Sequence, residues 1–273
     1  MKTEKFEILE AAWRRRFLPI RTDTQNPVVA RMWDFEDGFR DAWHAHEEAQ
    51  LIYVTRGVAR AVTPHGIWTL APFQAIWMPP GMLHELHAIG DVTARTAYVD
   101  ADAAPQFKAW TQCRVVQVGQ LLDALLVALA VDTDSSETQR TELALPLFMH
   151  ELARALPALS GRLPLPDDRR LRAVCEQLLL CPENNDTIDV WGARVGASTR
   201  TLARLFRDET GLSFGQWRQH LRLVEAVARL AQGAPVATVA AELGYQSPSA
   251  FTSMFRKTLG ASPQRYLRQR DSL

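Results

Sequence analysis

The stretch STRTLARLFRDETGLSF (Ser198–Phe214) returns 49 residues later as SPSAFTSMFRKTLGASP (Ser247–Pro263). Under this offset the clearest matches are Phe206 with Phe255, Arg207 with Arg256, Gly211 with Gly260 and Ser213 with Ser262. The segments just before them, WGARVG (Trp191–Gly196) and VAAELG (Val239–Gly244), also pair, at an offset of 48. Two copies are too few for a solenoid, so the sequence indicates a tandem of one small module.

Each copy of the module predicts a helix-turn-helix. In the first copy, Thr187 or Asp189 can cap a helix that runs to a turn at Gly196. Ser198 can then cap a second helix, which Gly211 ends. The corresponding landmarks of the second copy are Val236, Gly244, Pro248 and Gly260. The two units therefore span about 187–212 and 236–260.

The segment between the two modules predicts a rigid connector. Phe214–Gln232 carries apolar residues at helical period, namely Phe214, Trp217, Leu221, Val224, Ala228 and Ala231. A helix of this length spans ~28 Å, and successive major grooves on one face of DNA lie ~34 Å apart. The connector is therefore long enough to present two reading helices to neighbouring grooves.

These residues resemble the AraC/XylS family of transcription regulators, and the resemblance covers roughly residues 165–270. VGASTRTLARLFRDETGLSF (Val195–Phe214) and LGYQSPSAFTSMFRKTLGASPQRYL (Leu243–Leu267) are similar to the two signatures of that family. The resemblance implies a domain that binds double-stranded operator DNA. The residues it implies for DNA binding are Ser198, Arg200, Thr201, Arg204 and Arg207 in the first unit, and Gln246, Ser247, Ser249, Thr252, Ser253 and Arg256 in the second.

Among these residues, Arg200 and Arg204 lie one turn apart and are the leading candidates for guanine contacts. Arg207 and Arg256 are expected to contact phosphate or to serve the structure. The alternative interpretation of the arginines is a solvated helix face. The repeat, the turn glycines and the connector agree with one another, so we favour DNA binding.

Charge is distributed unevenly along the chain. The 273 residues carry 31 basic and 31 acidic side chains, and this zero balance by itself argues against a nucleic-acid binder. Residues 161–273, however, carry 16 basic and 11 acidic side chains, whereas residues 1–160 carry 15 and 20. Only four of the basic residues are lysines, and arginine is suited to forked contacts with phosphate and guanine. The split favours an acidic sensor joined to an arginine-rich DNA-binding domain.

Residues 28–100 predict short β-strands. Gly and Pro punctuate the stretches LIYVTRG (Leu51–Gly57), ARAVTPHG (Ala59–Gly66), IWTL (Ile67–Leu70), AIWMPPG (Ala75–Gly81) and VTARTAYV (Val92–Val99). Regular short strands of this kind are typical of a β-sandwich or barrel.

Residues 119–156 change to a helical pattern. Leucines recur at three- and four-residue spacing, among them Leu121, Leu122, Leu125, Leu126 and Leu129. We interpret these helices as the seam of a homodimer, since sensor domains of the family named above commonly dimerise through helices in this position. The alternative is that the helices cover the barrel. Pro157–Asp168 is rich in proline and predicts an interdomain linker.

Two motifs in the strand region resemble those of cupins, whose fold is a small jelly-roll barrel. His44-Ala45-His46 with Gln50 is similar to the first motif, although cupins usually have Glu in place of Gln50. PPGMLH (Pro79–His84) is similar to the second, which here lacks its leading Gly and final Asn. The resemblance implies that His44, His46, Gln50 and His84 would hold one divalent metal, and this donor set suits Zn, Ni, Fe or Mn. The alternative is that the histidines line a metal-free pocket for an organic ligand.

A small-molecule effector is expected in the barrel, and the candidate aromatic walls are Trp43, Tyr53, Trp68 and Trp77. Effector or metal binding would change the affinity for operator DNA. The arrangement resembles a subgroup linked to small-molecule efflux genes, including repressors of nitroimidazole exporters, which favours a repressor of an adjacent transporter or enzyme gene. The alternatives are a metal-dependent cupin enzyme fused to a DNA-binding domain and a ligand-independent architectural protein.

The sequence therefore predicts an N-terminal all-β cupin (jelly-roll) domain over 20–118, dimerisation helices and a linker over 119–160, and an all-α DNA-binding domain over 165–273. No window reaches the ~18–20 apolar residues of a membrane span. The N-terminus MKTEKFEILE is charged where a signal peptide needs an apolar core. The three cysteines form no CxxC pair, which favours a reducing compartment. We expect a cytoplasmic regulator that is not an enzyme.

Overall fold

The computed structural model describes Thr22 and residues 27–100, 102–130, 138–157, 161–259 and 261–265. The chain divides into two compact units. Among the described residues, 27–63 and 70–157 belong to the first unit, and 64–69 and 161–265 belong to the second. Relative to the predicted boundaries, the main difference is that 64–69, a piece of the predicted barrel, belongs to the second unit.

The N-terminal half is rich in β-structure, as predicted. Its strands are β1 (Val28–Phe35), β2 (Ala49–Thr63), β3 (Gly66–Leu70), β4 (Gln74–Met78), β5 (Glu85–Val99) and β6 (Arg114–Gln117). Within the first unit, β1 pairs with β5, β5 with β2, β2 with β4, and β4 with β6, all antiparallel. The predicted strands Leu51–Gly57 and Ala59–Gly66 lie largely in one long strand, β2. Its pairing with β5 shifts register between Val54 and Val58, and such an irregularity lets a strand bend without ending.

Two helices, α1 (Gln120–Ala130) and α2 (Thr138–Arg154), complete the core of the first unit. Leu122, Leu125 and Leu126 are buried in the same cluster as strand residues, so their assignment to a dimer seam is wrong. The apolar face of α1 covers the sheet, which is the alternative given above. Leu129 packs partly against this core, and Leu121 remains exposed.

The second unit is mainly helical. Its elements after residue 160 are β7 (Gly161–Pro164), α3 (Arg169–Leu180), α4 (Ile188–Val195), α5 (Thr199–Thr210), α6 (Phe214–Ala231), α7 (Val236–Glu242) and α8 (Pro248–Leu259). The pairs α4–α5 and α7–α8 confirm the two helix-turn-helix units, and α6 confirms the connector. The first helix-turn-helix turns at Gly196, and α5 ends at Gly211; both glycines adopt the left-handed conformation. Gly260, the predicted end of α8, lies outside the described residues.

The predicted linker contains a β-strand. Strand β7 pairs antiparallel with β3, with Gly66 opposite Pro164 and Trp68 opposite Arg162. The guanidinium of Arg172 donates to the carbonyls of Pro64 and Pro166, at 3.3 and 3.2 Å. These contacts explain why 64–69 belongs to the second unit. The pairing is distant in sequence, so the composition of either segment does not reveal it.

The second unit has two apolar cores that share α6. The first contains Phe206, Trp217 and Leu221, and the second contains Leu223, Phe251 and Phe255. The indole of Trp217 donates to the carbonyl of Pro164 at 2.8 Å, which joins the connector to β7. The predicted core residues Leu205, Phe206, Trp217, Phe251 and Phe255 are all buried.

All three cysteines are free. In the described part of the chain, no helix combines the length and the apolar character that crossing a membrane requires.

The close approach of α4 to its turn yields a first prediction. A Cβ added at Gly192 would lie 2.5 Å from the carbonyl oxygen of Ala197, whereas a Cβ at Gly215 would meet nothing within 4 Å. We expect Gly192→Ala to lower the free energy of unfolding by about 1–3 kcal/mol through overpacking. The matched variant Gly215→Ala should be neutral or should stabilise α6 by up to about 1 kcal/mol. Urea unfolding followed by circular dichroism measures both, and equal unfolding midpoints would contradict this close contact.

Candidate functional site

Two of the four predicted DNA-binding serines, Ser198 and Ser247, cap their helices. The hydroxyl of Ser198 accepts from the backbone N–H of Thr201 at 3.1 Å and lies 2.9 Å from the hydroxyl of Thr201. The hydroxyl of Ser247 accepts from the N–H of Ala250 at 3.2 Å. Both serines therefore hold the first turn of a helix-turn-helix recognition helix.

The remaining predicted contacts lie on the solvent side of α5 and α8 or in the turn before α8. Arg200, Arg204 and Arg207 are exposed on α5, while Leu202 and Phe206 of the same helix are buried. In the second helix-turn-helix, Thr252 is half-buried, and the exposed members are Gln246, Ser249, Ser253 and Arg256. Each helix thus presents a polar face of the kind that enters a major groove.

Arg204 carries an intrahelical partner. Its guanidinium donates to the carboxylate of Asp208, one turn along α5, at 2.8 Å. Both side chains are exposed, so the pair contributes only about 0.3–0.5 kcal/mol to helix stability. A guanine or a phosphate that binds Arg204 would therefore displace only this weak ion pair with Asp208.

The first unit brings the three predicted histidines together. Ring nitrogens of His44, His46 and His84 lie within 4.8 Å of one another. His44 and His84 exchange two backbone hydrogen bonds of 2.9 Å, and the carbonyl of His46 accepts from the N–H of Gly81 at 2.9 Å. Backbone pairing between the two motifs, outside the named strands, therefore positions the rings.

The orientation of the three rings is set by carbonyl oxygens. Each Nδ1 lies 2.7 Å from a backbone carbonyl: that of Ala42 for His44, Glu48 for His46 and Met82 for His84. A carbonyl can only accept, so Nδ1 carries the proton in each neutral ring and Nε2 presents a lone pair. Burial lowers the pKa of His44 to about 4 and that of His84 to about 3, which keeps both rings neutral at pH 7.

Gln50 completes the cluster. Its Oε1 lies 3.0 Å from Nε2 of His84 and 3.2 Å from Nε2 of His46, and its Nε2 donates to the hydroxyl of Tyr98 at 2.9 Å. Burial raises the pKa of Tyr98, so the phenol stays protonated. Tyr98 was not among the predicted site residues. It is identified by the register between β2 and β5, which places Tyr98 opposite Gln50. The side-chain oxygen of Gln50 therefore faces the Nε2 atoms of two of the three histidines.

The cavity beside this cluster is small. Its volume is about 30 Å³, and its lining includes His44, Gln50, His84 and Tyr98. This volume holds an ion or one to two water molecules. Pockets for drug-sized organic ligands are much larger, at ~300–1,000 Å³.

The four predicted aromatic wall residues have different surroundings. Tyr53 and Trp77 are buried in the apolar core of the first unit, Trp43 is half-buried, and Trp68 belongs to the second unit. Aromatic strand residues usually serve as core, and two of these four do so.

Comparison with known proteins identifies the family. Residues 27–179 match the family model described as the AraC-like ligand binding domain, and residues 191–269 match the one described as a helix-turn-helix domain. The HTH-type transcriptional regulator NimR of Escherichia coli (strain K12) is 31% identical over 225 residues, which are 82% of this chain and 81% of NimR. The chain belongs to the AraC family of transcriptional regulators.

Two further proteins each match about nine tenths of the chain. The RCS-specific HTH-type transcriptional activator RclR of Escherichia coli (strain K12) is 25% identical over an alignment of 280 positions, gaps included, which covers 91% of this chain and 93% of RclR. A crystal structure of ToxT from Vibrio cholerae O395 covers 90% of this chain and 99% of its own, with a TM-score of 0.39 and 10% identity. The family models and the similarity to NimR show that the present chain is a DNA-binding transcription regulator with a ligand-binding domain.

The exposed position of Arg204 yields a second prediction. We expect Arg204→Ala to weaken binding to a duplex enriched from a random pool by ~1–3 kcal/mol, roughly 5- to 150-fold, because the variant cannot make the bidentate base contact predicted for Arg204. Discrimination should relax at one base pair, which competition with single-base variants of the duplex measures.

The matched control is Arg194→Ala. Arg194 is an exposed arginine of α4 that pairs with Asp186 at 2.8 Å, so the variant removes a similar ion pair from the other helix of the same unit. Its effect on base discrimination should be absent. Equal weakening of all duplexes by Arg204→Ala would make this arginine a phosphate contact instead.

Proposed function

We propose that the operator affinity of this regulator responds to a divalent transition metal held by His44, His46, His84 and Gln50. The observation that carries the proposal is the cluster of ring nitrogens from three histidines, all within 4.8 Å of one another, with Oε1 of Gln50 beside Nε2 of His46 and His84. Each Nδ1 lies 2.7 Å from a backbone carbonyl. Acceptors that face one another repel unless a cation or a proton lies between them. Such second-sphere hydrogen bonds to Nδ1 are typical of metal-binding histidines.

The chemistry of the donors supports a borderline metal. Imidazole nitrogen suits Zn, Ni and Fe, and the amide oxygen of Gln50 suits Mn. The rings of His44 and His84 are neutral because burial lowers their pKa, so they need lose no proton before binding. A bound ion would supply a cross-link between β2 and the two segments that carry the histidines. Gln50 brings no negative charge, so the site would bind its ion more weakly than one with Glu, as a sensor requires.

A metal suits the 30 Å³ cavity better than an organic effector does. The amide of Gln50 could also turn its NH₂ group toward the histidines, which would satisfy the cluster without an ion. Similarity to regulators over most of the chain favours sensing over turnover, so the fused cupin enzyme is the weaker hypothesis.

Metal analysis tests this proposal. The full chain, loaded in turn with Zn²⁺, Ni²⁺, Fe²⁺ or Mn²⁺ and then dialysed, should retain close to one ion per chain for at least one metal. His46→Ala should abolish retention because it removes one donor, whereas His65→Ala, an exposed histidine of the second unit, should retain the ion. Gln50→Glu should bind more tightly.

Two outcomes would contradict the proposal. Retention of none of the four metals by the folded wild type would remove the site. Retention without any change in duplex affinity would make the metal structural rather than regulatory. An ion present at ~100 times its dissociation constant should also stabilise the wild type by about 2.7 kcal/mol, which thermal unfolding detects.

We also propose that the regulator is a homodimer that pairs through α2. Leu143 and Leu147 lie one turn apart on this helix and are 71% and 41% exposed, while Phe148 and Leu152 on its other face are buried. An exposed apolar stripe next to a buried one fits a second copy of the same helix. This assignment replaces the leucines of α1.

Sedimentation of charged variants tests the dimer. Leu143→Glu combined with Leu147→Glu should yield a monomer at concentrations where the wild type is a dimer, because two charges would be buried at the seam. Leu180→Glu is the control, since Leu180 is 75% exposed on α3 of the second unit. A double variant that remains dimeric, or a monomeric wild type, would contradict the proposal.

We also propose that the regulator represses an adjacent transporter or enzyme gene, because the chain resembles regulators of small-molecule efflux genes. Its proposed location is the cytoplasm. Deletion of the regulator should then raise the transcript of the neighbouring gene, and a fall would indicate an activator.

A further inference from the structure

A cavity of about 430 Å³ lies in the second unit between α6 and the second helix-turn-helix. Its lining includes Arg218, Arg222, Tyr245, Ser253, Met254 and Lys257. Three of these side chains are cations, and none of the residues that line the cavity is acidic. A concave surface with this charge favours an anion.

The buried cation of the cavity is held by neutral groups. Arg222 is only 8% exposed, and its guanidinium donates to the carbonyls of Pro182, Glu183 and Asn184 and to the amide oxygen of Asn185, at 2.8–3.2 Å. None of these acceptors is a carboxylate, so the positive charge behind the cavity is not neutralised by a hydrogen-bonded anion. The acidic residues whose charge acts on Arg222 and Arg218, Glu183 and Asp186, do not line the cavity, so an anion can approach the arginines from the cavity side.

The outer cations are placed for a ligand. Arg218 donates to the carbonyl of Asp186 at 2.9 Å and lies over the ring of Phe214 at 4.9 Å, which fixes its plane. Lys257 is exposed on α8, one turn after Ser253, a predicted base contact. The rim of the cavity is therefore shared by the connector and by the helix that is expected to enter the major groove.

We propose that this cavity, the phosphate pocket, holds a backbone phosphate of bound DNA, through Lys257 and Arg218 with Arg222 behind them. A phosphate is the anion that must lie beside a groove-bound helix. A contact from the connector itself would fix the register of both reading helices on the duplex. This inference rests on the DNA-binding function of the second unit.

Salt dependence tests the inference, with a 30-base-pair duplex of arbitrary sequence as the probe. Lys257→Gln and Arg218→Gln should each reduce the slope of log affinity against log salt by about 0.9, which is roughly an eightfold loss of affinity at 0.1 M salt. Lys108→Gln, which removes an exposed lysine from the first unit, is the matched control and should leave the slope unchanged. Because the side chain of Lys257 is exposed, Lys257→Gln is expected to fold and still tests the inference if Arg218→Gln does not fold.

The outcomes separate the inference from the function on which it rests. Unchanged slopes in folded Lys257→Gln and Arg218→Gln would overturn the phosphate pocket and leave DNA binding intact. A wild type that binds no duplex would overturn the function itself. Inorganic phosphate that raises the melting temperature of the wild type but not of Lys257→Gln, with equal salt slopes, would assign the cavity to a free anion and overturn its assignment to DNA.

Discussion

The second unit depends on one helix, α6, that buries apolar side chains in two separate cores. Phe214, Trp217 and Leu221 enter the first core, and Leu223 and Leu230 enter the second. A continuous helix of 18 residues is a rod of ~27 Å, so its length sets the distance between the two helix-turn-helix units. The capping box formed by Ser213 and Gln216 fixes where this rod begins. The spacing that DNA demands is therefore built into a single element.

Features that depend on local chemistry could be predicted from the sequence. Helix caps, turn glycines and apolar residues at helical period lie within one turn or two of each other, and they defined both helix-turn-helix units. The pairing of β3 with β7 and the contact between Gln50 and Tyr98 could not be predicted, because each joins segments that are distant in sequence. Periodicity in α1 revealed an apolar face but not what covers it, so Leu122 and Leu126 were assigned to a partner rather than to the core.

The candidate metal site follows the same division. The resemblance to the two cupin motifs implied that His44, His46 and His84 lie together, and the three rings do meet. Backbone carbonyls that bind each Nδ1 determine which ring nitrogen faces the centre, and no sequence pattern encodes those carbonyls. The aromatic residues gave no comparable signal, since Tyr53 and Trp77 serve the core as most strand aromatics do.

The two rigidly joined helix-turn-helix units are expected to bind neighbouring major grooves. Hydroxyl-radical footprinting of the full chain on a selected duplex tests this claim most directly. Each protomer should protect two stretches whose centres are separated by about one helical turn, ~10 base pairs. A single protected stretch per protomer would contradict the claim, because it would mean that only one of the two units binds DNA.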